Sequence, residues 1–98
     1  MVTTDPASRR PTLSVLMIAY NVAPYIAEAL ESVLMQDVDF DYEIVVGEDC
    51  STDGTRQIVL DYAGRHPDLV RPLLRDRNLG MNRNFMETLL SARGEFVA

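Results

Sequence analysis

Runs of apolar residues alternate along the chain with stretches in which apolar and polar residues recur at helical spacing. The runs over residues 13–20 and 42–47 are nearly continuous in apolar and β-branched residues, which is typical of strands covered on both faces. Residues 69–74 form a similar run, and residues 95–98 open in the same way before the sequence stops. The pattern therefore predicts three strands and the beginning of a fourth.

Amphipathic segments separate these runs and predict three helices. Pro24 suits the first turn of a helix that runs to about Gln36, and Pro67 closes the second helix because proline cannot continue one. The third helix is predicted over residues 81–92, with Gly94 at the C′ position after it. The residues expected to face the core are Ile26, Leu30, Val33 and Leu34 in the first helix, Ile58, Val59, Tyr62 and Ala63 in the second, and Phe85, Leu89 and Ala92 in the third.

Strand–helix alternation predicts right-handed βαβ units and a mainly parallel sheet. The predicted fold class is α/β, a Rossmann-like three-layer αβα sandwich that is truncated after the start of the fourth strand. Residues 1–12 have little to bury and are predicted to be a flexible tail, while residues 13–98 form the N-terminal portion of the α/β domain. Because the pattern stops in mid-strand, we interpret the chain as a fragment.

Composition and charge narrow the class of protein. The chain has 98 residues, of which 47% are hydrophobic, and a net charge of −6, as expected of one small globular domain. An acidic chain without a basic cluster is a poor candidate for nucleic-acid binding, in which contacts to phosphates dominate. The single cysteine, Cys50, excludes an internal disulfide and indicates a reducing compartment. No run approaches the ~20 apolar residues of a membrane span, so we expect a cytoplasmic protein whose full-length form could still associate with a membrane.

Two adjacent carboxylates, Glu48 and Asp49, stand where the second strand should end. Open α/β sheets bind ligands at the carboxyl ends of their strands, next to the helix that follows. Carboxylates there can accept hydrogen bonds from a nucleobase or ribose, or help to hold Mg²⁺ beside phosphates. The alternative is that both residues only cap the next helix, since Ser51, Thr52 and Asp53 are also N-cap types.

Polar residues also follow the first and third strands. Tyr20 and Asn21 end the first strand and should lie beside the acidic pair, where a tyrosine ring offers a stacking face. The alternative is an ordinary edge aromatic and a turn asparagine. At the third loop–helix junction, Arg83 is placed to hold a diphosphate, or is simply solvated. The other residues of interest at this junction are Asn78, Gly80 and Asn84.

Several familiar sites are missing from the sequence. No glycine-rich fingerprint follows the first strand, which argues against dinucleotide binding of the Rossmann type and disfavours a nucleotidyltransferase. No phosphate loop with the Gly-Lys-Ser/Thr ending and no Gly-x-Ser-x-Gly elbow occurs. Cys50 has no histidine near it in sequence and is interpreted as a small loop residue, and His66 is interpreted as a helix C-cap.

Taken together, these segments resemble the opening of family 2 glycosyltransferases with the GT-A fold, and the resemblance covers residues 13–98. It is carried by Ser14-Val15-Leu16-Met17-Ile18-Ala19-Tyr20-Asn21, Ala29-Leu30-Glu31-Ser32-Val33-Leu34-Met35-Gln36, the strand, acidic pair and Ser-Thr-Asp-Gly-Thr turn from Glu43 to Thr55, Asn78-Leu79-Gly80, Arg83-Asn84, and Ala92-Arg93-Gly94-Glu95-Phe96-Val97. The sequence departs from the family pattern at four positions. Ile18 stands where such enzymes commonly have Pro or Thr, and Gly47 stands in place of an apolar residue. Glu48 replaces the usual Asp, and Cys50 replaces a common Gly.

The resemblance implies a site for a nucleotide-sugar donor, with uridine diphosphate as the expected nucleotide. The residue matching Asp49 would bind the base, often through the N3–H of uracil, and the segment over residues 18–21 would lie against the base and ribose. The donor-binding residues implied in this way are Ala19, Tyr20, Asn21, Glu48, Asp49, Ser51, Asn78, Gly80, Arg83 and Asn84. The Asp-x-Asp motif for Mg²⁺ or Mn²⁺ and the catalytic base are expected beyond Ala98, so we expect no catalytic or metal-binding residue in this chain and no activity of the chain alone.

The expected partners are therefore a nucleotide-sugar donor and, for the full-length enzyme, a saccharide or lipid-linked saccharide acceptor whose hydroxyl receives the sugar with inversion. A different class of function stays open beside this one. The chain could be a noncatalytic α/β module that binds nucleotides or self-associates, with a homodimer formed through the unpaired sheet edge near Ala98.

Overall fold

A computed structural model describes residues 10–98 and shows alternating strands and helices over this range. The strands are β1 (Leu13–Ala19), β2 (Tyr42–Glu48), β3 (Val70–Leu74) and β4 (Phe96–Val97), and the helices are α1 (Ala23–Leu34), α2 (Thr55–Arg65) and α3 (Met81–Ser91). Each predicted element is present, with ends displaced by a few residues. Within this range, the helices are all too short or too polar to cross a bilayer.

The strands form a single parallel sheet in the order β3-β2-β1-β4. β1 and β2 pair along their whole length, from Leu13 opposite Tyr42 to Ala19 opposite Glu48. β3 is an edge strand and contains Pro72, which lacks the N–H that a central strand would need. The order places the carboxyl ends of β1, β2 and β3 next to one another.

Helices cover both faces of the sheet, which confirms the predicted three-layer αβα fold. Ile44 and Val46 point from β2 into an apolar core that is closed by α1 and α2, with Leu30 and Val59 among the fully buried residues. Because side chains alternate along a strand, Glu43, Val45 and Gly47 face the opposite side, where α3 packs. The apolar stripes predicted for α1 and α2 are confirmed.

The predicted inner face of α3 is wrong. Asn84 and Thr88 are fully buried against the sheet, whereas Phe85 is 43% exposed. The reason lies in β2, because Gly47 has no side chain and the Asn84 side chain occupies the space. A Cβ built on Gly47 would stand 2.6 Å from the Asn84 Oδ1 and would also collide with the Thr88 hydroxyl.

Two predictions about the chain ends of the fold also need correction. Residues 1–9 lie outside the described residues, but residues 10–12 are not a free tail: Pro11 is buried and its carbonyl accepts from the Glu95 amide at 3.2 Å. The prediction failed because this contact joins opposite ends of the sequence. Gly94 does not end α3 in the left-handed conformation that a C′ glycine adopts. It instead allows a close approach to β1, since a Cβ on residue 94 would stand 2.6 Å from the Ser14 nitrogen.

Candidate functional site

The candidate site is the edge of the sheet at which β1, β2 and β3 end. The loops that follow these strands, residues 20–22, 49–54 and 75–80, are joined directly by hydrogen bonds. The Asp49 amide donates to the Ala19 carbonyl at 2.9 Å, and the Leu79 amide donates to Asp49 Oδ1 at 2.7 Å. Residues that are far apart in sequence are thereby brought to one place.

Asp49 holds the third loop with both carboxylate oxygens. Leu79 donates to Oδ1 and Gly80 donates to Oδ2 at 3.0 Å, while the Asn78 side-chain amide donates to the Asp49 carbonyl at 3.1 Å. Gly80 has a φ of 89°, a conformation that favours glycine. The Asp49 residue is 2% exposed. A carboxylate offers about four acceptor positions, so these two bonds leave the oxygens with further capacity.

Glu48 is fully buried and is bound by the protein itself. Its Oε1 accepts from the Ser51 amide at 2.9 Å, and its Oε2 accepts from Arg56 at 2.6 Å. Burial alone would raise the pKa of Glu48, but hydrogen bonds from Ser51 and Arg56 and the charge of Arg56 outweigh it and lower the pKa. Glu48 therefore stays ionised and braces the turn that follows β2.

Tyr20 and Asn21 lie at the open side of this edge. The Tyr20 ring is 45% exposed and stands free to stack. Asn21 has a φ of 51°, its amide donates to the Ser51 hydroxyl at 3.0 Å, and its side-chain oxygen accepts from the Thr52 amide at 2.8 Å. The alternative that the acidic pair caps α2 is wrong, because the backbone amides that donate to these carboxylates belong to other segments, and Glu48 contacts α2 through the Arg56 side chain.

Arg83 and Asn84 do not join the other predicted residues in the same way. The Arg83 side chain is 60% exposed and pairs along α3 with Glu87 at 3.6 Å. Asn84 is fully buried, donating to the Gly47 carbonyl at 2.8 Å and accepting from Arg75 at 3.0 Å. The donor-binding role of both residues stays a prediction.

Two arginines that support the site were missed in the sequence. Arg56 binds Glu48 and also donates to the Arg75 carbonyl at 2.6 Å, joining the second loop to the third. Arg75 in turn reaches Asn84 and, at 3.0 Å, the hydroxyl of Thr88. A signal for Arg56 existed, because a carboxylate expected to be buried at the end of β2 requires a cationic partner nearby.

The described residues do not fit a divalent metal site of their own. Within residues 10–98, no group of three or more His, Cys, Asp or Glu side chains is arranged to hold a metal ion. The expectation that such ligands lie beyond Ala98 therefore stays a prediction.

The sequence of the chain matches known proteins over nearly its whole length. The family described as Glycosyl transferase family 2 matches residues 14–98. The chain is 43% identical over 86 residues to the uncharacterized protein Rv1520 of Mycobacterium tuberculosis, covering 88% of this chain and 25% of that protein. It is 39% identical over 85 residues to the poly(ribitol-phosphate) beta-N-acetylglucosaminyltransferase TarS of Staphylococcus aureus, covering 86% of this chain and 15% of TarS. The chain thus spans a quarter or less of the length of these relatives.

Solved structures share the fold as well as the sequence. The mannosyltransferase PcManGT from Pyrobaculum calidifontis, in complex with GDP-Man and Mn²⁺, matches with a TM-score of 0.79 and 36% identity, over 98% of this chain and 28% of that one. TarS 1–349 from S. aureus, in complex with UDP-GlcNAc, matches with a TM-score of 0.75 and 36% identity, over 88% of this chain and 25% of that one. These neighbours are GT-A glycosyltransferases, and the chain corresponds to their N-terminal part. Because the family match extends over all four strands and all three helices, the chain belongs to glycosyl transferase family 2.

Proposed function

We propose that this chain binds the nucleotide part of a nucleotide-sugar donor, with uridine diphosphate as the nucleotide. The observation that carries the proposal is the joining of three β–α loops at one sheet edge, with Asp49 at their centre. Ligands of open α/β sheets bind at this edge. The complexes of PcManGT with GDP-Man and of TarS with UDP-GlcNAc support a donor of this chemical class.

The groups at this edge of the sheet have separate proposed tasks. Asp49 accepts the N3–H of uracil with the acceptor capacity that Leu79 and Gly80 leave, and Tyr20 lies against the base. Arg83 is exposed at the first turn of α3, where a cation and the helix N-terminus together favour a diphosphate. Ala19, Asn21, Glu48, Ser51, Asn78 and Asn84 shape the loops around these groups.

In the full-length protein, we propose transfer of a sugar to a hydroxyl of a saccharide or lipid-linked saccharide. The acceptor oxygen forms a bond to the anomeric carbon while the bond from that carbon to the diphosphate oxygen breaks, which inverts the configuration. A base takes the hydroxyl proton, and a divalent cation, Mg²⁺ or Mn²⁺, would supply positive charge beside the departing diphosphate if the full-length protein holds one. Because no group of three or more His, Cys, Asp or Glu side chains in residues 10–98 is arranged to hold the metal ion, we expect the chain alone to be inactive. We also propose the cytoplasm as its compartment.

Nucleotide titration tests the proposal. Calorimetry with UDP and with N3-methyl-UDP, on the wild-type chain and on Asp49→Asn, separates base recognition from loop support. If Asp49 accepts the N3–H, wild type should lose about tenfold to a hundredfold in affinity on N3-methylation, since one hydrogen bond to a charged group is worth about 1.5–3 kcal/mol. The Asp49→Asn variant should bind UDP more weakly and discriminate little between the two nucleotides.

The matched control is Asp76→Asn, an exposed carboxylate in the loop after β3 that removes the same charge close to the site. It should bind UDP as wild type does. Equal binding of UDP and N3-methyl-UDP by wild type would contradict base recognition by Asp49, and sugar transfer by the 98-residue chain alone would contradict its predicted inactivity.

A second candidate function is a noncatalytic module that acts by association. The observation in its favour is apolar surface on α3 and β4, where Leu90 is 78% and Phe96 is 64% exposed. A nucleotide titration without any binding would favour this alternative over the donor site.

A further inference from the structure

The turn after β2 carries side chains that reach across to the loop after β1. Three successive amides of that loop are held in this way: Asn21 donates to the Ser51 hydroxyl at 3.0 Å, Val22 to the Thr55 hydroxyl at 2.9 Å, and Ala23 to Asp53 Oδ2 at 3.2 Å. In the opposite direction, the Thr52 amide donates to the side-chain oxygen of Asn21. We call these contacts the loop clamp, formed by residues 51–55 on one side and residues 21–23 on the other.

The loop clamp explains residues that the sequence pattern assigned to a different task. Ser51, Thr52 and Asp53 are N-cap types, and Asp53 Oδ1 does accept from the Thr55 amide at the start of α2. In addition, the Ser51 hydroxyl, the Thr52 amide and Asp53 Oδ2 bond to the neighbouring loop. Three side chains of this turn accept from three consecutive amides of another segment. Such bonds are not needed to cap α2.

Thr55 is the centre of the loop clamp. It is fully buried, and its hydroxyl accepts from the Val22 amide while donating to Asp53 Oδ1. The Thr55 amide donates to the same carboxylate oxygen at 2.9 Å, and these hydrogen bonds hold the pKa of Asp53 below its usual range. The ionised carboxylate therefore fixes the direction in which the hydroxyl points its lone pairs.

The segment that is held needs such support. Asn21 has a φ of 51°, a left-handed conformation that costs an L-residue free energy, although asparagine tolerates it better than most residues. Tyr20, with its exposed ring, precedes this residue directly. A loop that is free to leave this conformation would have to be ordered when a ligand binds, and affinity falls by the fraction of molecules that are not ordered.

We infer that Thr55 and Asp53 are positioning residues of the donor site: they pre-form the Tyr20–Asn21 segment without touching the nucleotide. This inference rests on the proposed function, since it assigns a second set of residues to the same nucleotide site. It adds a task for the Ser-Thr-Asp-Gly-Thr turn that is distinct from capping α2.

The test uses a matched pair of substitutions in the 98-residue chain. Thr55→Val keeps the shape and removes the hydroxyl, and Thr55→Ser keeps the hydroxyl. We expect Thr55→Val to weaken UDP binding about tenfold and Thr55→Ser to stay within about twofold of wild type, because only the first leaves the Val22 amide unpaired. Amide hydrogen exchange should accelerate at residues 21–23 in Thr55→Val, while the amides of β2 exchange as in wild type.

A second pair of substitutions distinguishes a specific effect on the donor site from a general loss of stability. Asp53→Asn removes the charge that orients Thr55, and Asp61→Asn removes the same charge from an exposed position on α2. Weaker UDP binding and faster exchange at residues 21–23 in Asp53→Asn alone would support the inference. Wild-type affinity in folded Thr55→Val and Asp53→Asn would overturn it while leaving the proposed function standing, whereas no UDP binding by wild type would overturn both.

Discussion

The carboxylate of Glu43 lies at the edge of the sheet opposite the candidate site and is 2% exposed. It accepts from the Ser14 hydroxyl at 2.5 Å, from Arg71 at 3.1 Å and from the amide of Arg93 at 2.8 Å. Arg71 also donates to the Ser91 carbonyl at the end of α3. One side chain thus joins β1, β2, β3 and the turn between α3 and β4.

The acid–base behaviour of Glu43 gives a prediction. Burial would raise its pKa, but hydrogen bonds from Ser14, Arg71 and Arg93 lower it from 4.5 to about 2. Because the folded-state pKa is the lower one, the stabilisation is present above about pH 4.5 and is lost as the pH falls through about 2, and it amounts to about 3 kcal/mol. We expect Glu43→Gln to lower the free energy of unfolding by about this amount at neutral pH, as measured by urea denaturation.

The difference from wild type should shrink as the urea series is repeated at falling pH. Glu87→Gln is the control, because Glu87 is 40% exposed and its ion pairs, with Arg83 on α3 at 3.6 Å and with Arg75 in the loop after β3 at 3.8 Å, are longer than those of Glu43. A loss of stability that is the same for both variants, or that does not change with pH, would count against a specific role of Glu43.

Residue-scale roles were the least predictable from sequence. Asp49, Tyr20 and Asn21 could be singled out because they follow strands, which is a local pattern. Glu43 could not, since its partners are far away along the chain, whereas Arg56 was missed although the buried carboxylate of Glu48 required a cation nearby. The helix-cap interpretation holds for Asp53, which accepts from the Thr55 amide, but not for Ser51, whose hydroxyl accepts from the Asn21 amide, and nothing local shows that a neighbouring loop uses these side chains.

At the scale of elements, the contact between β2 and α3 depends on a missing side chain. Gly47 leaves the space that Asn84 and Thr88 fill, and the Asn84 side chain bonds to the Gly47 carbonyl. We expect Gly47→Ala to lower the free energy of unfolding by about 1–3 kcal/mol, the usual cost of overpacking a core, in a thermal or urea melt. The added methyl group must displace either the buried amide or the hydroxyl.

The control substitution is Gly64→Ala on α2, where an added Cβ meets nothing within 4 Å. It should stabilise the chain by up to about 1 kcal/mol, because alanine is the better helix former. Equal effects of the two glycine substitutions would contradict the close contact between β2 and α3.

Strands and helices, and the faces that they bury, could be predicted from the sequence wherever apolar residues recur periodically within one segment. The four strands and the apolar faces of α1 and α2 are of this kind. The face of α3 is not, because its buried side is polar and is determined by a glycine in another strand. Apolar periodicity alone therefore predicted that Phe85 faces the sheet, whereas Asn84 does.

At the scale of the whole molecule, α3 and β4 both expose large apolar side chains. Met86 and Leu90 on α3 and Phe96 and Val97 on β4 are all exposed, and β4 is an edge strand of the sheet. Contiguous apolar patches and unpaired strand edges both favour association. We expect the chain to form dimers or larger species in a concentration-dependent way, as measured by sedimentation velocity.

The substitution Leu90→Lys should shift the chain towards monomer. Leu60→Lys is its control, because Leu60 is exposed to 38% on α2, away from α3 and β4. A wild-type chain that sediments as a monomer at every concentration, or equal effects of the two lysine substitutions, would show that the apolar surface of α3 and β4 does not mediate association.

The strand order has a consequence for how such a chain is made. β1 is synthesised first but lies inside the sheet, with β2 and β3 added on one side and β4 on the other. All three loops of the candidate site have emerged from the ribosome once Gly80 has, and at ~5–20 residues per second Phe96 emerges about one to three seconds later. During that interval on the ribosome, the loops of the candidate site can assemble while β1 is still unpaired on the side where β4 will bind. A ligand that binds the folded loops stabilises them by mass action, so a cellular nucleotide would act on the nascent chain as a folding ligand before the sheet is finished.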